Sequence, residues 1–140
     1  EGRMELTWGL RRVMDGQLAP HPPVDEYPNP DYQELSTPND VLTWLANNPS
    51  VLAIDTEGSV AHPWCLTAAH TPGSARLIDA KNRRLVGLLN EYIADADPLV
   101  PMHWAAYDLE VLTTMRVSVR RIADTMLQAY ELGPHFSQAL

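Results

Sequence analysis

A chain of 140 residues with 45% hydrophobic content has enough apolar surface for one packed domain and too much for a disordered segment. Its formal net charge of -8, from 18 acidic against 10 basic residues, argues against gripping nucleic acid through a general basic footprint. It does not exclude an acidic site that cleaves phosphodiesters through bound metal, because the ions invert the local field.

Residues 1–35 read as an N-terminal extension, with the main domain at 36–140. Glu5–Gln17 can form a hairpin turning at Asp15-Gly16. His21–Tyr32 reads as an extended linker, because Pro20, Pro22, Pro23, Pro28 and Pro30 oppose helix and central strand alike. Thr37-Pro38-Asn39-Asp40 then opens a helix with a cap, a proline at the first helical position and an acid at the positive end. Val41, Leu42, Trp44 and Leu45 form its apolar face, and Asn47-Asn48-Pro49 ends it.

Three strands are predicted next, at Val51–Asp55, Trp64–His70 and Ala75–Asp79. The turn Thr71-Pro72-Gly73-Ser74 makes the last two a hairpin. Leu85, Leu88, Leu89, Tyr92 and Ile93 recur at helical spacing, so Asn82–Ala94 is an amphipathic helix. A short strand Pro98–His103, a helix Ala105–Met115, an extended run Val117–Ala123 and a helix Thr125–Leu132 complete the pattern. Asp124 reads as the cap of that last helix. His135–Leu140 reads as the first turn of a further one. A strand meander followed by alternating strands and helices implies an α/β fold with a sheet of mixed direction.

The chemistry concentrates where Val51-Leu52-Ala53-Ile54 runs into Asp55-Thr56-Glu57-Gly58. In a strand, residues i and i+2 share a side, so Asp55 and Glu57 stand together at the strand end. Two carboxylates that close are best reconciled by a divalent cation with oxygen ligands. A third acid, Asp108, falls in the first turn of the helix after Pro98–His103, within reach of the same sheet edge. Each acid alone has an ordinary explanation: a turn, a helix start, a cap. His103 reads as a hydrogen-bonded strand-end residue, and Cys65, Trp64 and Trp44 as packing. Arg83-Arg84 and Arg120-Arg121 suit phosphate contact or solvent equally. The single Cys65 excludes an internal disulfide, and no apolar run reaches the roughly 20 residues of a membrane span. Glu1–Leu10 lacks the order of a signal peptide, so a cytoplasmic setting is the default expectation.

Taken together, Asp55-Thr56-Glu57, His103-x-x-x-Tyr107-Asp108-x-x-x-Leu112 and Asp124-Thr125-Met126-Leu127-x-Ala129-Tyr130 resemble the DEDD superfamily of 3′–5′ exonucleases. The similarity is greatest to the proofreading domain of phage-type family A DNA polymerases, and it spans residues 51–135. It implies a ribonuclease H-like mixed sheet flanked by helices. It also implies two Mg2+ or Mn2+ ions roughly 4 Å apart that clamp the scissile phosphate and release nucleoside 5′-monophosphates. By that resemblance Asp55 bridges the ions, Glu57 holds the one that activates water, and Asp108 ligates the other. Thr56 and His103 are implied substrate contacts, and Asp124 is a secondary acid of more structural character. The implied partners are the 3′ end of single-stranded DNA, or RNA, and a C-terminal polymerase domain. A phage-encoded protein would work in the host cytoplasm.

Two departures stand out. The family's second motif has Asn after its His, where this chain has Trp104. The third motif, Tyr-x-x-x-Asp or His-x-x-x-x-Asp, is missing: Tyr130 is followed by Pro134 and His135 by Leu140 at those spacings. The motif is therefore expected past Leu140, the fold C-terminally incomplete, and trimming by residues 1–140 alone slight. The alternatives are an RNA-trimming exonuclease of the ribonuclease D type and a non-catalytic exonuclease fold that binds nucleic acid.

Overall fold

A computed structural model describes residues 30–132. The readings made for Glu5–Gln17, for most of the linker and for His135–Leu140 lie outside the described residues. The strands are β1 (Asp31–Glu34), β2 (Ala53–Gly58), β3 (Pro63–Thr71), β4 (Ser74–Asp79), β5 (Val100–Met102) and β6 (Ile122–Asp124). The helices are α1 (Pro38–Leu45), α2 (Arg83–Ala96), α3 (Ala105–Met115) and α4 (Thr125–Leu132).

Strands β2, β3 and β4 form the expected antiparallel meander, and β1 adds parallel to β4, giving the order β1-β4-β3-β2. Strand β5 pairs in parallel with β6. The run-in to β2 joins these two sheets: Leu99 N donates to Ser50 O, and Leu52 N to Leu99 O, both at 2.9 Å. Beyond that point no pairing of β2 with β5 continues among the described residues. The outcome is the mixed α/β architecture the sequence implied.

Alternation within β2 and β3 decides which face is which. Ile54, Thr56, Leu66 and Ala68 are buried, while Asp55 and Glu57 are exposed. The buried face meets Val41 and Leu45 of α1, Leu85, Leu89 and Ile93 of α2, and Val111, Leu112 and Met115 of α3 in one core. Helix α1 starts as expected. Asp40 N donates to Thr37 Oγ1, and the Asp40 carboxylate accepts from Thr37 N at 2.7 Å, a reciprocal capping box.

Two features were not foreseen. Strand β1 occupies the end of the stretch read as linker. Its four side chains are all exposed, so no apolar alternation marks it. Backbone pairing holds it, together with the nearly buried Arg76, which reaches Asp31 Oδ2 at 2.6 Å and Asp31 O at 2.7 Å. The Arg120-Arg121 pair serves the end of α2: Arg120 Nη2 donates to Ala94 O and Arg121 Nη1 to Asp97 O. Cations there complement the negative helix terminus. No helix among the described residues is long and apolar enough to cross a membrane.

Gly58 ends β2 at a bulge with φ of +116°, a backbone conformation that L side chains rarely adopt. A Cβ there would lie 2.6 Å from His62 O and 2.8 Å from Trp64 N, both backbone atoms. Gly58→Ala is therefore expected to destabilise the fold by about 2 kcal/mol or more, read as a lower urea midpoint. An unchanged midpoint would mean that the bulge relaxes without strain.

Candidate active site

Among the described residues no strand pairs with β2 on the edge opposite β3. A free edge leaves backbone donors that need partners. Asp108, in the first turn of α3, supplies one. Its Oδ1 accepts from Thr56 N at 2.9 Å and from Thr56 Oγ1 at 2.6 Å. Asp108 is 3% exposed and Thr56 6%. The Thr56 hydroxyl is thus committed to holding Asp108 against β2.

The electrostatics are those of crowded acids. Burial pushes the Asp108 pKa up; the two Thr56 hydrogen bonds oppose the rise, and the negative charges of Asp55 and Asp124 add to it. Asp55 and Glu57 stand on the exposed face of β2. Across from Glu57 lies Cys65, whose thiol pKa is raised first by burial and then by the charges of Glu57, Asp79 and Asp55. The strand end therefore carries a concentrated negative field.

Asp55 and His103 line one open groove of about 410 Å³, together with the small residues Ala53, Ala69 and Ala75 of the sheet and with Met102 and Thr125. Hollows of similar size lie beside α1 and α2, and along β1, the latter sharing Thr67 and Ala75 with this groove. His103 Nδ1 lies 3.1 Å from Thr125 Oγ1, and that hydroxyl donates to Met102 O. With its one proton given to Met102, the hydroxyl accepts from His103 Nδ1–H, which orients the ring.

Asp124 does more than cap one helix. Oδ1 accepts from Met126 N and Leu127 N at the start of α4, and Oδ2 accepts from Ala105 N at the start of α3. Burial works to raise its pKa, but backbone donors from Leu127, Ala105, Met126 and Trp104 prevail and hold it below the usual carboxylate range. One carboxylate thus fastens two helix starts together.

Tyr107 was given no role of its own in the sequence reading. Its hydroxyl donates to Gly58 O at 2.7 Å, tying α3 to the end of β2, and its ring stacks on Trp104. Its place directly before Asp108 was the available signal.

The carboxylates of Asp55, Glu57 and Asp108 are hard oxygen donors, suited to small divalent cations. Asp55 is close enough for its charge to be felt at Asp108. Among the described residues, however, no group of three or more His, Cys, Asp or Glu side chains is placed to hold a metal ion, so Asp55, Glu57 and Asp108 do not meet as one ligand set.

A family model described as a 3′–5′ exonuclease, of the DNA polymerase A type, matches residues 32–137. No curated protein matches the sequence significantly. Among solved structures, the catalytic core of RRP6 from Trypanosoma brucei is similar with a TM-score of 0.64 and 17% identity, over 77% of this chain and 32% of that one. Pol1 from M. smegmatis, in complex with DNA primer-template and dNTP, gives 0.56 and 21% over 70% and 19%. The EXD2 exonuclease domain soaked in Mn and GMP gives 0.56 and 20% over 71% and 58%. At these identities the likeness is one of fold, and the chain spans about a third of the RRP6 core and about a fifth of the Pol1 chain.

Proposed function

Because the chain belongs to the DEDD-type 3′–5′ exonucleases, we propose that it shortens nucleic acid from the 3′ end with divalent metal, through Asp55, Glu57 and Asp108. The observation that carries this reading is the tether of Asp108 to Thr56, which holds the acid of α3 against the Asp-Thr-Glu strand within reach of Asp55's charge. Asp55, Glu57 and Asp108 would hold Mg2+ or Mn2+. When bound, such ions activate water and stabilise the leaving 3′ oxygen. The chain's own residues do the rest. Thr56 and Tyr107 fix α3 against β2, and Asp124 fixes the start of α3 against α4. His103, oriented by Thr125, faces the groove that Asp55 lines.

The finer reading is the proofreading domain of a DNA polymerase, with a single-stranded DNA 3′ end as substrate and a polymerase domain as covalent neighbour. The polymerase A type of the matching family favours it. A fourth carboxylate and a water-orienting Tyr, implied by the family pattern, would come from beyond Leu140.

A 5′-labelled single strand tests this. Residues 1–140 should bind it more tightly with Mn2+ or Mg2+ than with EDTA and trim it weakly. A chain extended past Leu140 should shorten it stepwise from the 3′ end and release 5′-monophosphates. Equal binding with metal and with EDTA, and no trimming by either chain, would leave a non-catalytic binding module.

A further inference from the structure

Trp104 precedes α3 with φ of 64° and ψ of 57°, the left-handed region that bulky residues seldom enter. Burial does not explain it, since the residue is 55% exposed. The conformation is nonetheless held firmly. The backbone N–H of Ala105, the next residue, donates to the Asp124 carboxylate at 2.9 Å. One face of the indole rests on Tyr107, with ring centroids 5.8 Å apart and planes 20° from parallel. Tyr107 is itself anchored to Gly58 O, one residue past Glu57. The preceding residue, His103, shares a groove wall with Asp55. A strained backbone that displays an exposed, backed aromatic plane one residue on from the groove that Asp55 lines points to function.

The charge balance says what such a plane is for. At a net charge of -8 the chain's own side chains offer little general phosphate attraction away from bound metal. Stacking a base on an aromatic face needs no basic residues and tolerates any sequence. We propose that Trp104 is a stacking platform for a nucleobase among the last two nucleotides of the 3′ end, with Tyr107 as its rigid backing. This rests on the exonuclease reading above.

The test measures binding of 5′-labelled single strands by fluorescence anisotropy in calcium, a hard cation with oxygen ligands. The parent chain is compared with Trp104→Asn and Trp104→Phe, on strands with and without bases at the last two nucleotides. Asn tolerates the left-handed region, so Trp104→Asn should keep or raise Tm, which separates lost stacking from lost folding. Trp104→Asn is expected to weaken binding about 10-fold or more, and Trp104→Phe to recover most of it. The parent should lose a similar factor when the two bases are removed, and Trp104→Asn should not notice their removal. Unchanged binding by Trp104→Asn, or an equal loss on both strands, overturns the platform while leaving the exonuclease reading intact. A parent chain that binds neither strand overturns both. Should Trp104→Asn misfold, the Phe variant and the base-free strand on the parent still decide.

Discussion

Asp108→Asn should leave the folded protein at least as stable as the parent at neutral pH, yet weaken metal-dependent strand binding and trimming by about 10²-fold or more. The two effects separate because Asp108 has two duties. As an acceptor it satisfies the Thr56 N–H and hydroxyl, and an amide oxygen can take over both bonds. As a charge it is buried beside Asp55, which disfavours the ionised form. Removing only the charge removes that penalty, whereas removing a metal ligand should cost at least the upper end of the 10–100-fold seen for outer-shell partners. Asp108→Ala removes the acceptor too. It strands two buried donors and should destabilise the fold by about 3 kcal/mol. The pH dependence gives the sign. The Asp108 pKa is raised in the folded state above its ordinary 3.8, so the native protein binds this proton more tightly than the unfolded chain. Its contribution to stability therefore declines as pH rises from about 3.8 through the folded pKa, then stays level. Asp31, Asp40 and Asp124 shift the opposite way, so the difference between parent and Asp108→Asn isolates the contribution. If urea midpoints for that pair run parallel across this range, the buried-charge account is wrong.

What the sequence disclosed and what it withheld divide along the distance between interacting residues. The capping box of Thr37 and Asp40, the Pro72-Gly73 turn and the exposed pairing of Asp55 with Glu57 each depend on residues within four positions, and all were readable. The sheet-edge tether of Asp108 spans 52 residues. Sequence pattern brought Asp108 to the right helix start but could not show that Thr56 takes its oxygen. Asp124 was legible as the cap of α4, because Met126 and Leu127 follow it directly. Its hold on α3 depends on β5 and β6 lying side by side, which no local pattern states. Strand β1 escaped because all its side chains are exposed, and its support comes from Arg76, 45 positions away. The left-handed turn at Trp104 escaped for a related reason: no local preference favours it, and the carboxylate that fastens it is 20 residues downstream.

Asp55→Asn is expected to abolish metal-dependent trimming and to weaken Mn2+ binding by about 10²-fold or more, with stability changed by no more than about 0.5 kcal/mol. Asp55 is exposed on β2, and among the described residues its side chain makes no hydrogen bond or ion pair, so its loss strands no partner. Its influence on the fold is electrostatic: its negative charge is one cause of the raised Asp108 pKa. Neutralising Asp55 should therefore lower the Asp108 pKa, an effect visible in carboxyl-carbon NMR titration without any metal present. Three measurements then interlock. Calorimetry reports the lost Mn2+ affinity, strand digestion by a chain extended past Leu140 reports the lost chemistry, and the NMR titration reports that the two carboxylates face each other. An Asp55→Asn chain with parental Mn2+ affinity would move the metal site away from β2. A lost affinity together with an unmoved Asp108 titration would keep Asp55 as a ligand but remove Asp108 from its side, because two acids that share an ion must also feel each other's charge when the ion is absent.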